Sequence, residues 1–312
     1  MSKKFLSLFL TLVTLLAAAP MRASAARELT EDDDREAREL AVRFVKRLRE
    51  TDDFAQPVAE FFPEDFEERV KQFMREMPES VERDVGGLPC DRALLLRSEA
   101  GVIRRAYVAL MNFWNQQELL RDAAWKYVVV EYRAAGKDAL GDYEEARSRS
   151  KELAEKAVPE EAFRVAASDP FLEVMFRLVR ADGDEEGEED SDEEKAEEKK
   201  AKFEAAYIRD DARLRSFIER LERCVALLRK GVERLRSDAS SLAASHGLTK
   251  DSPAKDEFKV YSLEEDTLEV AAFGLPARAT LIHARISPYE LPMTRDEGRL
   301  RILAVYPDFD GD

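Results

Sequence analysis

Apolar residues recur every three or four positions through most of the chain, and the rhythm changes only near its end. After Thr30, the residues Ala37, Leu40, Ala41, Phe44, Val45 and Leu48 fall on one face of a helix. Thr30 is a good N-cap, and four acids follow it where the helix dipole favours negative charge. The same spacing returns in Phe62, Phe66, Val70, Phe73 and Met77. It returns again in "GVIRRAYVALMNFWNQQELLRDAAWKYVVVEYR", whose apolar density predicts the most buried helix of a bundle. The breakers "GGLPCD", "AAGKDALGD" and "SDP" separate these elements, as in a compact helical array. No fixed-period self-similarity is present, which disfavours a solenoid.

From Tyr207 to Leu235 the pattern tightens into heptads: Leu214, Leu221, Leu228 and Leu235 lie seven apart, with Ile218, Val225 and Val232 between them. Such a seam suits a two-stranded coiled coil. Phe217, Cys224 and Gly231 beside it widen the apolar stripe beyond a dimer seam, so packing within the chain, and a monomer, is expected over a coiled-coil dimer.

The last fifty or so residues switch to strand periodicity. "FKVYS" (258–262) reads as a strand, and Ser262 with Glu265 offers a capping box for a short helix ending at Gly274. "ATLIHARI" (279–286), "YELPMT" (289–294) and "RLRILAVY" (299–306) read as a meander, with Gly298 at a turn. Pro292 lacks an amide donor, so its strand is expected at a sheet edge. The expected fold is mainly α, a helical bundle-like array followed by a small C-terminal α+β module with an antiparallel meander. Its parts are a signal peptide (1–25), a helical domain (26–180), an acidic low-complexity segment (181–202), a long amphipathic helix packing on the helical domain (203–244), a linker (245–257) and the α+β module with an acidic tail (258–312). So small a module is expected to lean on the helices.

The leader changes the picture most. Two lysines, an apolar run from Phe5 to Ala19 and the small-residue triplet Ala23-Ser24-Ala25 form a secretory signal, too short to span a bilayer. The mature protein is expected to be secreted or periplasmic, and off the membrane once the signal is cleaved. The formal net charge is −16, and residues 182–198 alone hold twelve acids against one lysine. That sign disfavours nucleic acid and anionic membrane surfaces as partners. An oxidising compartment permits a disulfide between Cys90 and Cys224; the alternative is two buried thiols.

The acidic stretch "DGDEEGEEDSDE" also resembles an EF-hand calcium loop over its twelve residues. Asp182, Asp184 and Glu186 would fill its first, third and fifth places, Gly187 its turn and Glu193 its bidentate last place. Glu186 and Glu189 depart from the usual residues at their places, and no second loop accompanies this one. A solvated acidic spacer is the reading the composition favours, with calcium as the one cofactor that the resemblance implies.

Motifs for hydrolase, dinucleotide, NTPase and zinc chemistry are missing. His283 reads as a partly exposed structural histidine, and His246 falls at the linker. Trp114, Trp125 and Phe113 read as core, while Asn112, Asn115, Gln116 and Gln117 are a candidate pocket lining. The function expected from these features is that of an exported soluble, non-enzymatic binding or assembly protein with a protein partner. The C-terminal hairpin and the heptad helix are its candidate surfaces. An exported carboxylate-pair hydrolase and a calcium-responsive protein using loop 182–193 are the alternatives.

Overall fold

The computed structural model describes residues 30–76, 90–173, 176, 207–248, 260–265, 281–286, 289–296 and 298–307. The chain is mainly helical, with a small antiparallel sheet at its C-terminal end. It divides into two compact units, one holding the described residues up to 108 together with those from 260 onward, the other those from 109 to 248.

In the first unit, α1 (Glu31–Thr51) begins with the cap its sequence specifies. The Asp33 amide donates to Thr30 Oγ1 at 3.2 Å, and the Thr30 amide donates back to Asp33 Oδ2 at 3.2 Å. All six apolar residues of its expected stripe are buried. The helices α2 (Ala55–Phe61), α3 (Phe66–Glu76) and α4 (Arg92–Arg97) follow. Phe44 stacks edge-on with Phe61 at 5.7 Å, and Phe62 with Phe66 at 5.3 Å. Of the expected α3 stripe, Phe66 is buried and Val70 half-buried; the side chain of Phe73, and Met77, lie outside the described residues. Glu67 accepts from the amides of Gly101 (2.6 Å) and Arg104 (2.9 Å), so a carboxylate of α3 satisfies the start of α5 (Val102–Ala134).

The sheet comprises β1 (Val260–Glu265), β2 (Leu281–Ile286), β3 (Tyr289–Asp296), β4 (Arg299–Ile302) and β5 (Tyr306–Pro307), in the order β1-β2-β3-β4 with β5 also pairing β3. The helix expected to start at Ser262 is not formed there. Ser262 and Glu265 belong to β1, paired with Arg285 and Ile282, because the cross-strand ladder outweighs a local capping box. Residues 266–280 lie outside the described residues. Gly298 takes the positive φ (80°) expected of it at the β3–β4 turn.

Pro292 is not on an edge strand: β3 has neighbours on both sides. β3 pairs with β4 through Met293–Asp296 and with β5 through Tyr289 and Glu290, which leaves Pro292 at the break between the two partners. Its carbonyl accepts from the Leu303 amide at 2.8 Å, so its missing donor falls on the side where the ladder is already interrupted. The proline is thus accommodated by a gap in a neighbour.

The sheet packs on α1. Leu281, Ile282, Ala284, Ile286, Leu291, Met293 and Ile302 are buried, Tyr289 meets Phe54 edge-on at 6.2 Å, and the Val305 amide donates to the Tyr107 hydroxyl at 2.9 Å. Burial raises the Tyr107 phenol above its ordinary range, so it stays a neutral hydroxyl.

In the second unit, α5 continues to Ala134 and is followed by α6 (Tyr143–Ala157), α7 (Glu160–Ala166) and α8 (Asp211–Ser245). The heptad stripe of α8 is buried against the chain's own helices, chiefly α7 and α6, and Phe217, Cys224, Leu227 and Gly231 are buried with it. Gly231 allows the closest approach: a Cβ there would lie 2.7 Å from the Ala157 carbonyl oxygen and 3.2 Å from Leu120 Cδ1. Arg220 donates to the Ser168 carbonyl at 3.0 Å and Arg234 to that of Lys156 at 2.6 Å, satisfying carbonyls near helix ends.

Candidate functional site

The stretch "AAGKDALGD", between α5 and α6, builds the most distinctive surface of the second unit. Gly136 ends α5 in the left-handed conformation (φ 70°). Its amide donates to the Arg133 carbonyl at 3.1 Å, and the Lys137 amide to that of Tyr132 at 2.8 Å, the paired bonds of a Schellman cap. Asp138 then holds the turn: its carboxylate accepts from the Leu140 amide and its carbonyl from the Asp142 amide, both at 3.1 Å. Ala139 consequently points into the core beside Val128, Tyr132 and Ala146, against which Trp125, Val129 and Leu153 pack.

Leu140, one residue on, is left 74% exposed, and Tyr143 is 48% exposed; among the described residues these are the large hydrophobic side chains that face solvent. Tyr143 meets half-buried Trp125 edge-on at 5.8 Å. Exposed charges accompany them in the sequence: Asp138, Asp142, Glu144 and Glu145 with Lys137 in the turn and first helical turn, and Arg133 and Arg147 on either side. Lys137 Nζ lies 5.4 Å from the Tyr132 ring centroid and 3.9 Å from Glu145. The Tyr132 phenol is pushed above its ordinary range, first by desolvation, then by its hydrogen bond to Glu145 and by the charges of Glu145, Asp142 and Glu131. The tip therefore combines exposed apolar surface with an aromatic–carboxylate cradle that already holds one cation.

Asp182, Asp184, Glu186 and Glu193 lie outside the described residues. Among the described residues, no group of three or more His, Cys, Asp or Glu could hold a metal ion. Cys90 and Cys224, the residues of the possible disulfide, are both buried free thiols in the structure. Their apolar surroundings disfavour the thiolate and push each pKa up to about 12.

Asn112, Asn115, Gln116 and Gln117 are all buried within α5. Gln117 Nε2 has no hydrogen-bond partner among the described residues. Phe113 is core as expected, but Trp114 and Trp125 are only half-buried. His283 is buried, not partly exposed: β1 and β3 flank its strand on both sides, and Glu290 and Pro292 of β3 lie on its face of the sheet. Its Nδ1 lies 2.9 Å from Glu290 Oε1 on β3.

Among the described residues, the carboxyls with a shifted ionisation all move the same way. Asp33 is held at about 2 by its bonds to Thr30 and Arg295, Glu161 is lowered by Arg223, and Glu290 is lowered by His283. These three are stabilised as carboxylates, the reverse of what a glycosidase general acid requires.

The tip was read from sequence only as a helix breaker. The signal that marks it is a leucine inside a Gly/Asp-rich turn, with Lys137, Gly136 and Glu144 among its neighbours at helical spacing, followed by a tyrosine at the start of the next helix. No helix among the described residues is long and apolar enough to cross a membrane. Comparison with known protein families, curated proteins and solved structures gives no match.

Proposed function

We propose that this is an exported, non-enzymatic binding protein that docks a protein partner on the tip between α5 and α6. The observation that carries the reading is the pairing of Leu140, exposed on a turn held by its own hydrogen bonds, with Tyr143, exposed three residues on at the first position of α6. Exposing a leucine and a tyrosine together costs solvation that a partner can recover, and a pre-set turn pays little ordering entropy on binding. The leader supports export. The heptad helix, an alternative surface from sequence, has its apolar seam buried within the chain.

The test is a panel of chromogenic glycoside, ester and peptide substrates presented to the mature protein, run beside the Leu140→Ser variant. The reading expects no turnover above the buffer blank. Turnover that saturates with substrate and persists in Leu140→Ser would overturn it.

A further inference from the structure

We infer that the partner segment docking on the α5–α6 tip is a cationic one, with a Lys or Arg beside an apolar side chain. The inference rests on the binding reading above and narrows it to one chemistry.

Two observations carry it. The first is charge: from Lys137 to Glu145, the stretch that holds Leu140 and Tyr143, there are four exposed acids and one base, with the exposed bases Arg133 and Arg147 flanking it. An anionic segment would be repelled from this rim, and a neutral one would leave its carboxylates to solvent. The second is that the chain demonstrates the cation site with its own side chain, since Lys137 Nζ rests over the Tyr132 ring and against Glu145. Lys137 is exposed and its ion pair with Glu145 is long, so an incoming Lys or Arg competes with a weakly held group. The partner's apolar residue would cover Leu140 while its cation takes the place of Lys137.

The experiment uses the mature full chain and two synthetic pentapeptides, Lys-Leu-Lys-Phe-Lys and its charge-reversed counterpart Glu-Leu-Glu-Phe-Glu. The readout is the indole N–H resonance of Trp125, assigned with Trp125→Phe, because that ring lies 5.8 Å from the Tyr143 ring at the tip. The expected result is a saturable shift with the lysine peptide alone, weakened about fivefold or more when ionic strength rises from about 0.05 to about 0.5 M. Leu140→Ser should abolish the shift, and Lys137→Ala should strengthen binding about two- to threefold by removing the competing cation. Thermal melts of both variants check that the fold is intact.

If the glutamate peptide binds as well as the lysine peptide, or if Lys137→Ala weakens lysine-peptide binding, the cationic class is overturned and tip docking stands. If neither peptide moves the Trp125 resonance, the cationic class is overturned together with docking at this tip. Turnover in the substrate panel would instead overturn the non-enzymatic reading, independently of both peptide results.

Discussion

Arg295 on β3 donates from Nε and Nη2 to a single oxygen of Asp33, at 3.0 and 2.7 Å, across 262 residues of sequence. The same Asp33 closes the capping box of α1 through its other oxygen. One carboxylate thus starts the helix and fastens the sheet to it, and Glu36 adds a second oxygen to Arg295 at 2.6 Å.

Because these partners favour the charged form, the Asp33 carboxyl is held at about 2, below the usual 3.8. A depressed folded-state pKa contributes stability that is present above the unfolded value and lost as pH falls through the folded one. Asp33→Asn should therefore cost about 1–2 kcal/mol at neutral pH, toward the lower value because the Arg295 guanidinium is about a third exposed. The gap to wild type should close between about pH 4 and pH 2. Urea midpoints at neutral pH and near pH 2 check this; a gap independent of pH would mean that the cap geometry, not the charge, is what Asn disturbs.

The thiols give a second expectation. Buried and free, Cys90 and Cys224 should not react with an aromatic disulfide reagent in the native protein, and both should react after unfolding in denaturant without reductant. No reactive thiol after unfolding would show that oxidation had bridged them. Export alone does not decide the matter, since a bridge also needs matching geometry.

What was legible in the sequence was local. The cap and apolar stripe of α1 could be read because Thr30, Asp33 and the residues at three- and four-residue spacing lie within a few turns of one another. The tie between Asp33 and Arg295 leaves no periodic trace, because it depends on which strand lies over which helix. Pro292 misled for a related reason: the rule against central prolines assumes an unbroken neighbour, and the break between β4 and β5 is tertiary information. Ser262 and Glu265 formed a sound local helix signal that pairing with β2 overrides. The tip was missed because turn residues announce a break in structure and say little about which side chain the break leaves outside. Leu140 and Ala139 are adjacent in the same turn, yet only Ala139 is buried.

Gly231 tests the packing of α8. In an isolated helix, Gly→Ala would gain about 1 kcal/mol of helix propensity. Here the new methyl would meet the Ala157 carbonyl oxygen at 2.7 Å, backbone that a side-chain rotation cannot clear. Gly231→Ala should destabilise by about 1–3 kcal/mol net of the propensity gain. An exposed control on the same helix, Ser237→Ala, should be neutral or slightly stabilising. Calorimetric melting of the two variants separates them, and a stabilised Gly231→Ala would show that α8 stands off from α6.

The heptad seam yields the sharpest contrast between two uses of one pattern. Leu214, Leu221, Leu228 and Leu235 could line a dimer or a core, and the periodicity is the same for both. In the structure Leu228 is fully buried by the chain itself, with Leu227 and Gly231 on the same helix buried beside it. Truncating Leu228 to Ala should then remove core contacts and leave a cavity, costing about 2–5 kcal/mol in urea unfolding. Light scattering should return the mass of one chain for wild type and variant alike, and the urea midpoint should not move with protein concentration. A coiled-coil dimer would behave otherwise, because its unfolding is coupled to dissociation and its midpoint rises with concentration. A wild-type mass of two chains that falls to one in Leu228→Ala would move the seam from core to interface, and with it the width argument that assigned Phe217, Cys224 and Gly231 to the interior.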